Sequence, residues 1–312
     1  MNDKELLKQL RALTSAGMKD CKEALDEAGG DMQKAVDIVK IKGLNIADGR
    51  SGIAASEGRV AIIGATDREL KAMVEVNCQT DFVANSKDFI DFTDRTALTL
   101  MFSIRDGETF QTDSVEAQRK EVVATTKENV VVRRWWVEEG QDPTVRVFSY
   151  LHSNNKIGVL ITMKAPTEKA AQDSAFEDLG SDLAMQICAM NPLAVSPDRI
   201  PSDELDRQKT IFESQLRDDK KPEAMWPRIM EGKLRKWNTE VCLLEQESVV
   251  VPKTTVKQVI KNVGTRLGGE IEVINFVRCQ VGEGIVTKKD DLVNEVAKLT
   301  GIPVVETKGC KI

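Results

Sequence analysis

Val74-Glu75-Val76-Asn77-Cys78-Gln79-Thr80-Asp81-Phe82-Val83-Ala84-Asn85-Ser86 begins with β-branched residues and ends in side chains that cap helices, so it marks a strand-to-helix corner. Upstream, Val60 to Ile63 and Leu70 to Val76 flank a turn at Gly64 to Arg68 and form a β-hairpin pattern. Downstream, Ser86 can cap a helix that lines up Phe89, Ile90, Thr93, Ala97, Leu100 and Met101. A second helix around Val115 to Val123 and a strand from Asn129 to Trp136 complete the unit. Strand, strand, helix, helix, strand is the order of an α+β domain with an antiparallel sheet.

That order recurs. Val145 to Leu151 and Ile157 to Met163 predict a second hairpin, Glu168 to Met190 a long helix, Val256 to Val263 a shorter one, and Ile271 to Val281 a returning strand. The expected architecture is two similar antiparallel-sheet α+β core subdomains side by side. Between the helices of the second, Leu205, Phe212 and Leu216 lie on one stretch and Trp226, Met230, Leu234 and Trp237 on the next. The polar turn Asp218-Asp219-Lys220-Lys221-Pro222 separates them, so an inserted antiparallel helical hairpin is expected, its second arm starting near Pro227.

The N-terminus is a separate helical unit. Leu6, Leu7, Leu10 and Leu13 form one stripe, and Met18, Cys21, Leu25 and Ala28 a second. Gly29-Gly30 break the chain, and Asp31 can cap a third helix carrying Met32, Ala35, Val36 and Val39 before Gly43. A linker rich in Gly, Ala and Ser follows. The expected boundaries are 1–44 for the helical module, 45–58 for the linker, 59–140 for the first core subdomain, 141–200 with 238–285 for the second, 201–237 for the hairpin and 286–312 for a C-terminal module with a helix from Asp290 to Leu299.

Composition narrows function by exclusion. The 312 residues are 41% hydrophobic, enough to build real cores, and carry 44 Lys plus Arg against 50 Asp plus Glu, a net charge of -6 that argues against a nucleic-acid backbone as main partner. One histidine, His152, leaves no His pair for a metal and one imidazole for acid-base work. The six cysteines are dispersed without a Cys-x-x-Cys pair, so they read as reduced thiols of a cytoplasmic protein. Neither a P-loop, a three-glycine dinucleotide fingerprint, a Gly-x-Ser-x-Gly elbow nor a His-Glu-x-x-His helix occurs, and no cofactor is expected.

The corner stands out against that silence, for it places an acid and an aromatic together in a chain with 4% aromatics. The residues alone leave two readings open: Thr80 or Asp81 caps a turn and Phe82 packs inward, or the aromatic is presented outward. Glu75-Val76-Asn77-Cys78-Gln79 followed by Thr80-Asp81-Phe82-Val83 resembles the signature of the translation elongation factor Ts family. Thr14 to Leu25, Gly30-Asp31 and Lys42-Gly43 resemble its N-terminal module. Tyr150, His152, Ile157 to Leu160, Asp182 to Met185, Ala189 to Pro192, Glu231 to Lys233, Phe276 to Arg278 and Val281 to Gly284 resemble later motifs in the same order. Ser15, Ser153-Asn154-Asn155, Gln186 and Trp135-Trp136 depart from the family pattern.

The resemblance implies a UBA-like N-terminal module and a guanine-nucleotide exchange factor, without covalent chemistry, for elongation factor Tu. The implied partner is elongation factor Tu in its GDP-bound and nucleotide-free states, with a 2:2 assembly left open and no nucleic acid or membrane involved. Thr80, Asp81, Phe82 and Val83 would disturb the partner's Mg2+ and phosphate site, with Phe82 as the wedge. Met18, Lys19, Asp20, Cys21 and His152 would face the partner, although Met18 and Cys21 fit a core equally and His152 fits a structural hairpin end. The alternative is a non-exchanging scaffold or chaperone-like subunit of the same partner. An intact Met1 without a transit segment points to a bacterial cytoplasm. Lacking a phosphate-binding loop, the isolated chain is expected to bind no guanine nucleotide; a saturable heat on titrating GDP into it by calorimetry would contradict this.

Overall fold

The computed structural model describes residues 3–14, 16–50, 53–65, 69–219 and 222–285. The turn residues 66–68, Ser15 and the expected C-terminal helix lie outside them. Three helices open the chain: α1 Asp3–Thr14, α2 Met18–Glu27 and α3 Met32–Arg50. Gly29 and Gly30 at φ 60° and 82° end α2, and the Asp31 carboxylate accepts the Lys34 N–H at 3.1 Å to start α3. Leu10, Ala16, Cys21, Ala24, Leu25, Ala35 and Val39 form the bundle core.

Two residues of the expected stripes fall outside it. Leu13 is 70% exposed and Met18 50% exposed, because they sit at the last turn of α1 and the first residue of α2, where Ala16 between them takes the inward position. The stop expected at Gly43 is also absent. A glycine inside a helix costs about 1 kcal/mol relative to alanine, and α3 continues to Arg50, into the stretch expected to be a linker, while packing along α6, Glu116–Thr126.

β1 Glu57–Ala65, β2 Leu70–Cys78 and β3 Val131–Glu139 form an antiparallel sheet in that order, with α4 Asp81–Ala84, α5 Lys87–Arg105 and α6 between the second and third strands. β4 Val145–Leu151, β5 Ile157–Lys164 and β6 Glu272–Gln280 repeat the arrangement around α7 Glu168–Ala171, α8 Ser174–Met190 and α11 Val256–Arg266. The single helix expected from Glu168 to Met190 is thus two: the Asp173 carboxylate accepts the Ala175 N–H at 2.9 Å and starts α8 afresh. The likeness extends to irregularities. The β2–β3 register slips between Glu75 and Val76, and the β5–β6 register between Thr162 and Met163.

Each sheet carries helices on its outer face and meets the other sheet with its inner face. Alternation along β2 sends Leu70, Ala72, Val74, Val76 and Cys78 to the helices and Met73 to the second sheet, where it joins Val60, Leu160 and Cys279. β2 and β5 are therefore covered on both sides. Gly158 permits the approach, since a Cβ there would stand 2.6 Å from Val60 and 2.8 Å from Met73.

Glu75 is the polar centre of this junction and is fully buried. The register slip brings two consecutive β3 residues to it: Arg134 Nε donates at 2.5 Å and Arg133 at 3.1 Å. The Gly282 N–H donates at 2.8 Å and Asn77 Nδ2 at 3.1 Å. Gly282 lies at φ 75°, and a Cβ there would meet the Ser56 carbonyl at 2.3 Å. The arginines continue outward, Arg133 to the Glu283 carbonyl at 2.6 Å and Arg134 to that of Gln280 at 3.0 Å.

The inserted arms are α9 Ser202–Asp218 and α10 Trp226–Val241, with Pro227 in the first turn of α10. Their root is closed by a parallel bridge between Ala194 and Cys242, with Leu243 N–H donating to the Ala194 carbonyl at 2.9 Å.

Burial by itself would raise the Glu75 pKa, but the Gly282 N–H, Arg134 and Asn77 outweigh it and hold the carboxyl below its ordinary 4.5. A depressed pKa contributes stability that is complete above the unfolded value and lost as pH falls through the folded one. Glu75→Gln is expected to cost about 3 kcal/mol in denaturant unfolding at pH 7, with the gap to the parent chain closing below about pH 4.5.

Candidate functional site

Where β2 ends, Cys78 is still buried and its thiol donates to the Thr80 carbonyl at 3.2 Å. Burial first, then the nearby Glu128 charge, pushes that thiol up to about 12, so it stays protonated. Thr80 takes an extended conformation (φ -124°, ψ 154°) and its hydroxyl accepts the Val83 N–H at 3.3 Å, which makes it the cap of α4. Asn85 Nδ2 donates to the Asp81 carbonyl at 2.8 Å and Ser86 Oγ to the Val83 carbonyl at 2.8 Å, closing the four-residue helix from behind.

A residue from elsewhere in the chain grips this corner. Glu128 Oε2 accepts the N–H groups of Gln79 and Thr80 at 3.0 Å each, and its Oε1 accepts the Thr80 hydroxyl at 2.6 Å. Glu128 reaches the corner because Lys127 ends α6 in the left-handed conformation, φ 59°. With Ala84 buried and Val83 packed on the core, Asp81 and Phe82 point outward. Phe82 is 83% exposed. Burying a phenylalanine is worth about 1.5–3 kcal/mol, so the core of this chain gains nothing from its position. Of the two readings of the corner, the Thr80 cap holds and the inward Phe82 does not.

The second core subdomain supplies an internal comparison. Thr167 caps α7 as Thr80 caps α4, its hydroxyl accepting the Ala170 N–H at 3.1 Å, and Ala171 is buried as Ala84 is. At the position of Asp81 stands Glu168, and at that of Phe82 stands Lys169, also exposed. The fold retains the cap and the alanine; it does not require an aromatic.

The N-terminal module meets the corner through a neighbouring residue. Lys127 Nζ pairs with Asp20 at 2.9 Å, so Asp20 and the Phe82 corner hang on consecutive residues, Lys127 and Glu128. Lys19 and Met18 are exposed beside Asp20. Cys21 is buried in the bundle with its thiol donating to the Ala16 carbonyl at 3.6 Å, which keeps that side chain from any surface.

His152 directly follows β4 on the other sheet. Its N–H donates to the Ile157 carbonyl at 2.9 Å, and its half-buried ring shares a hydrogen bond with the Tyr150 hydroxyl at 3.2 Å. The turn that follows holds Asn155 at φ 55°, a conformation asparagine tolerates. That turn leans on β1: Asn155 accepts the Val60 N–H at 2.8 Å and Lys156 pairs with Glu57, which lies across from Cys78. The His152 turn is therefore at the end of the sheets where the corner begins. Of the other departures in the described residues, Gln186 lies inside the protein and Trp135 stays exposed. Gln186 is buried against Gln246 at 3.2 Å, and Trp135 lies edge-on to Phe110 at 5.3 Å between ring centres.

Sequence reasoning missed Glu128, which no spacing links to residues 79–80. Among the described residues, no group of three or more His, Cys, Asp or Glu is arranged to hold a metal ion, and no helix is long and apolar enough to cross a membrane. What the fold displays is an aromatic and an acid on a braced corner, with charged residues of the N-terminal helices beside it. These define a binding protein of two paired α+β units behind a helical module.

The family model described as "Elongation factor TS" matches residues 79–283. The chain is 38% identical over 299 residues to elongation factor Ts of Symbiobacterium thermophilum, covering 96% of this chain and 98% of that one. It is 39% identical over 303 residues to elongation factor Ts of Clostridioides difficile, covering 94% and 97%. Elongation factor Ts of Nautilia profundicola is 37% identical over 299 residues. The chain belongs to the elongation factor Ts family and is a translation elongation factor.

Removing the cap hydroxyl has a local cost. Thr80→Ala is expected to lower stability by about 1 kcal/mol, read as a shift in the denaturant midpoint with unchanged slope.

Proposed function

We propose that this chain binds elongation factor Tu carrying GDP, loosens the partner's Mg2+ and phosphate site with the Phe82 corner, and so lets GTP replace GDP. The observation that carries this reading is the outward Phe82, 83% exposed on a corner braced by Glu128. A sparse aromatic of this kind can serve as the central anchor of an interface.

An exchange factor makes and breaks no covalent bond. It binds best a partner state that holds nucleotide poorly, so factor and nucleotide weaken each other by the same coupling free energy. Each tenfold acceleration of release requires about 1.4 kcal/mol of such coupling. A rigid wedge suits this, because a corner that relaxed on contact would yield instead of moving its partner.

In this reading each residue of the corner and the N-terminal module has a role. Phe82 enters the partner near the metal site, Asp81 accompanies it as a like charge toward the phosphates, and Thr80 and Val83 hold the helix that carries both. Met18, Lys19 and Asp20 form a docking surface on the N-terminal module, Cys21 acts only by holding the bundle beneath them, and His152 adds a contact from the second sheet. The setting is the bacterial cytoplasm.

A scaffold that held elongation factor Tu without exchanging its nucleotide would share the docking surfaces but would gain nothing from an exposed wedge. Phe82→Ala separates the two. Its stability is expected to stay within about 0.5 kcal/mol of the parent, while stopped-flow release of a fluorescent guanine nucleotide from elongation factor Tu slows by at least about tenfold. An unchanged release rate would sink the assignment of Phe82.

A further inference from the structure

We infer that Glu128 is a positioning residue for exchange: its carboxylate fixes the corner from which Phe82 projects, and it is present for that purpose rather than for the fold. The inference rests on the exchange reading of the corner.

The geometry is that of a clamp. One carboxylate receives three donors from two consecutive residues, the N–H groups of Gln79 and Thr80 and the Thr80 hydroxyl, at 3.0, 3.0 and 2.6 Å. Charge-assisted hydrogen bonds of this kind are shorter and stronger than neutral ones. The Thr80 hydroxyl relays the hold, since it donates to Glu128 and accepts from Val83, the residue after Phe82. Both backbone links into α4 are thereby set just before the aromatic.

The second core subdomain shows what the fold needs without the clamp. After α11 the left-handed position is Gly268, at φ 85°, where α6 has Lys127. The next residue, in the place of Glu128, is Gly269, which has no side chain; a Cβ there would lie 2.6 Å from Pro166. Among the described residues, the Thr167 hydroxyl bonds to the Ala170 N–H and to nothing that replaces Glu128. Yet α7 forms with the same cap and the same buried alanine. A Thr-capped corner therefore folds unclamped when it carries Lys169, and has the clamp where it carries Phe82.

A wedge transmits force only as well as its base resists rotation. Loss of the clamp is accordingly expected to reduce the rate of release from the bound complex more than the affinity for the partner, because the docking residues Met18, Lys19 and His152 are untouched.

The test compares Glu128→Ala, Glu128→Gln, Phe82→Ala and the parent chain in stopped-flow release of a fluorescent guanine nucleotide from elongation factor Tu, over a range of factor concentrations. Glu128→Ala is expected to lower the maximal rate by about tenfold and to change the half-saturating concentration by less than about twofold. Glu128→Gln, which keeps one acceptor oxygen for the two N–H groups, should recover most of that loss. In the isolated chains, amide hydrogen exchange at Gln79 and Thr80 should quicken in Glu128→Ala while the Thr167 corner exchanges as before, which also shows that the variant is folded. A full maximal rate in Glu128→Ala alongside an impaired Phe82→Ala overturns the inference, as does a loss confined to the half-saturating concentration or unaltered exchange at Thr80. A silent Phe82→Ala overturns the exchange reading itself, and this inference with it.

Discussion

The buried carboxylate of Glu75 is the constraint around which the two halves of this protein are organised. It lies on the central strand of one sheet and is satisfied from both halves, by Arg133 and Arg134 of its own unit and by the Gly282 N–H of the other. A charge removed from water must find such partners or lose its ionisation. Because the donors come from both units, satisfying Glu75 fixes how the sheets meet as well as closing a hydrogen-bond network. Apolar contacts at the same junction, such as Met73 against Leu160, supply area without direction. The carboxylate supplies the direction.

Pairing two units of like topology lets one chain show what is architecture and what is function. Both units have a register slip at the corresponding place on their central strand, a threonine cap, a short helix and a buried alanine. They differ at the outward position, Phe82 against Lys169, and at the residue behind it, Glu128 against Gly269. The shared features are those a strand-to-helix corner requires for satisfied backbone groups. The differing ones are not required by the corner itself, which forms in the second unit without them.

Local periodicity made much of the fold legible. The β-branched runs at 60–63, 70–76, 145–151 and 157–163 and the helical stripe from Phe89 to Met101 rest on neighbours in sequence, and the structure has those elements. The Thr80 cap was legible for the same reason. What escaped depended on distant partners. Gly43 looked like a stop because nothing nearby says that α3 has α6 to lie along. Glu168 to Met190 looked like one helix because Asp173 is an ordinary polar residue until its carboxylate takes the Ala175 N–H. Glu75 and Glu128 were two carboxylates among many, and only folding brings each to its donors. The direction of Phe82 was open from its own residues, and the resemblance to a family rather than local pattern spoke for it.

The inserted hairpin enters and leaves the second unit at adjoining residues, where Ala194 and Cys242 bridge in parallel. A connection whose two ends are already held together costs nearly the same closure entropy whatever lies between them, since that cost grows only with the logarithm of length. α9 and α10 are thus an appendage on a closed ring of chain: the core does not register how far they extend. Such a site is where a protein can acquire, lengthen or shed a projecting arm while the surfaces that meet its partner keep their geometry.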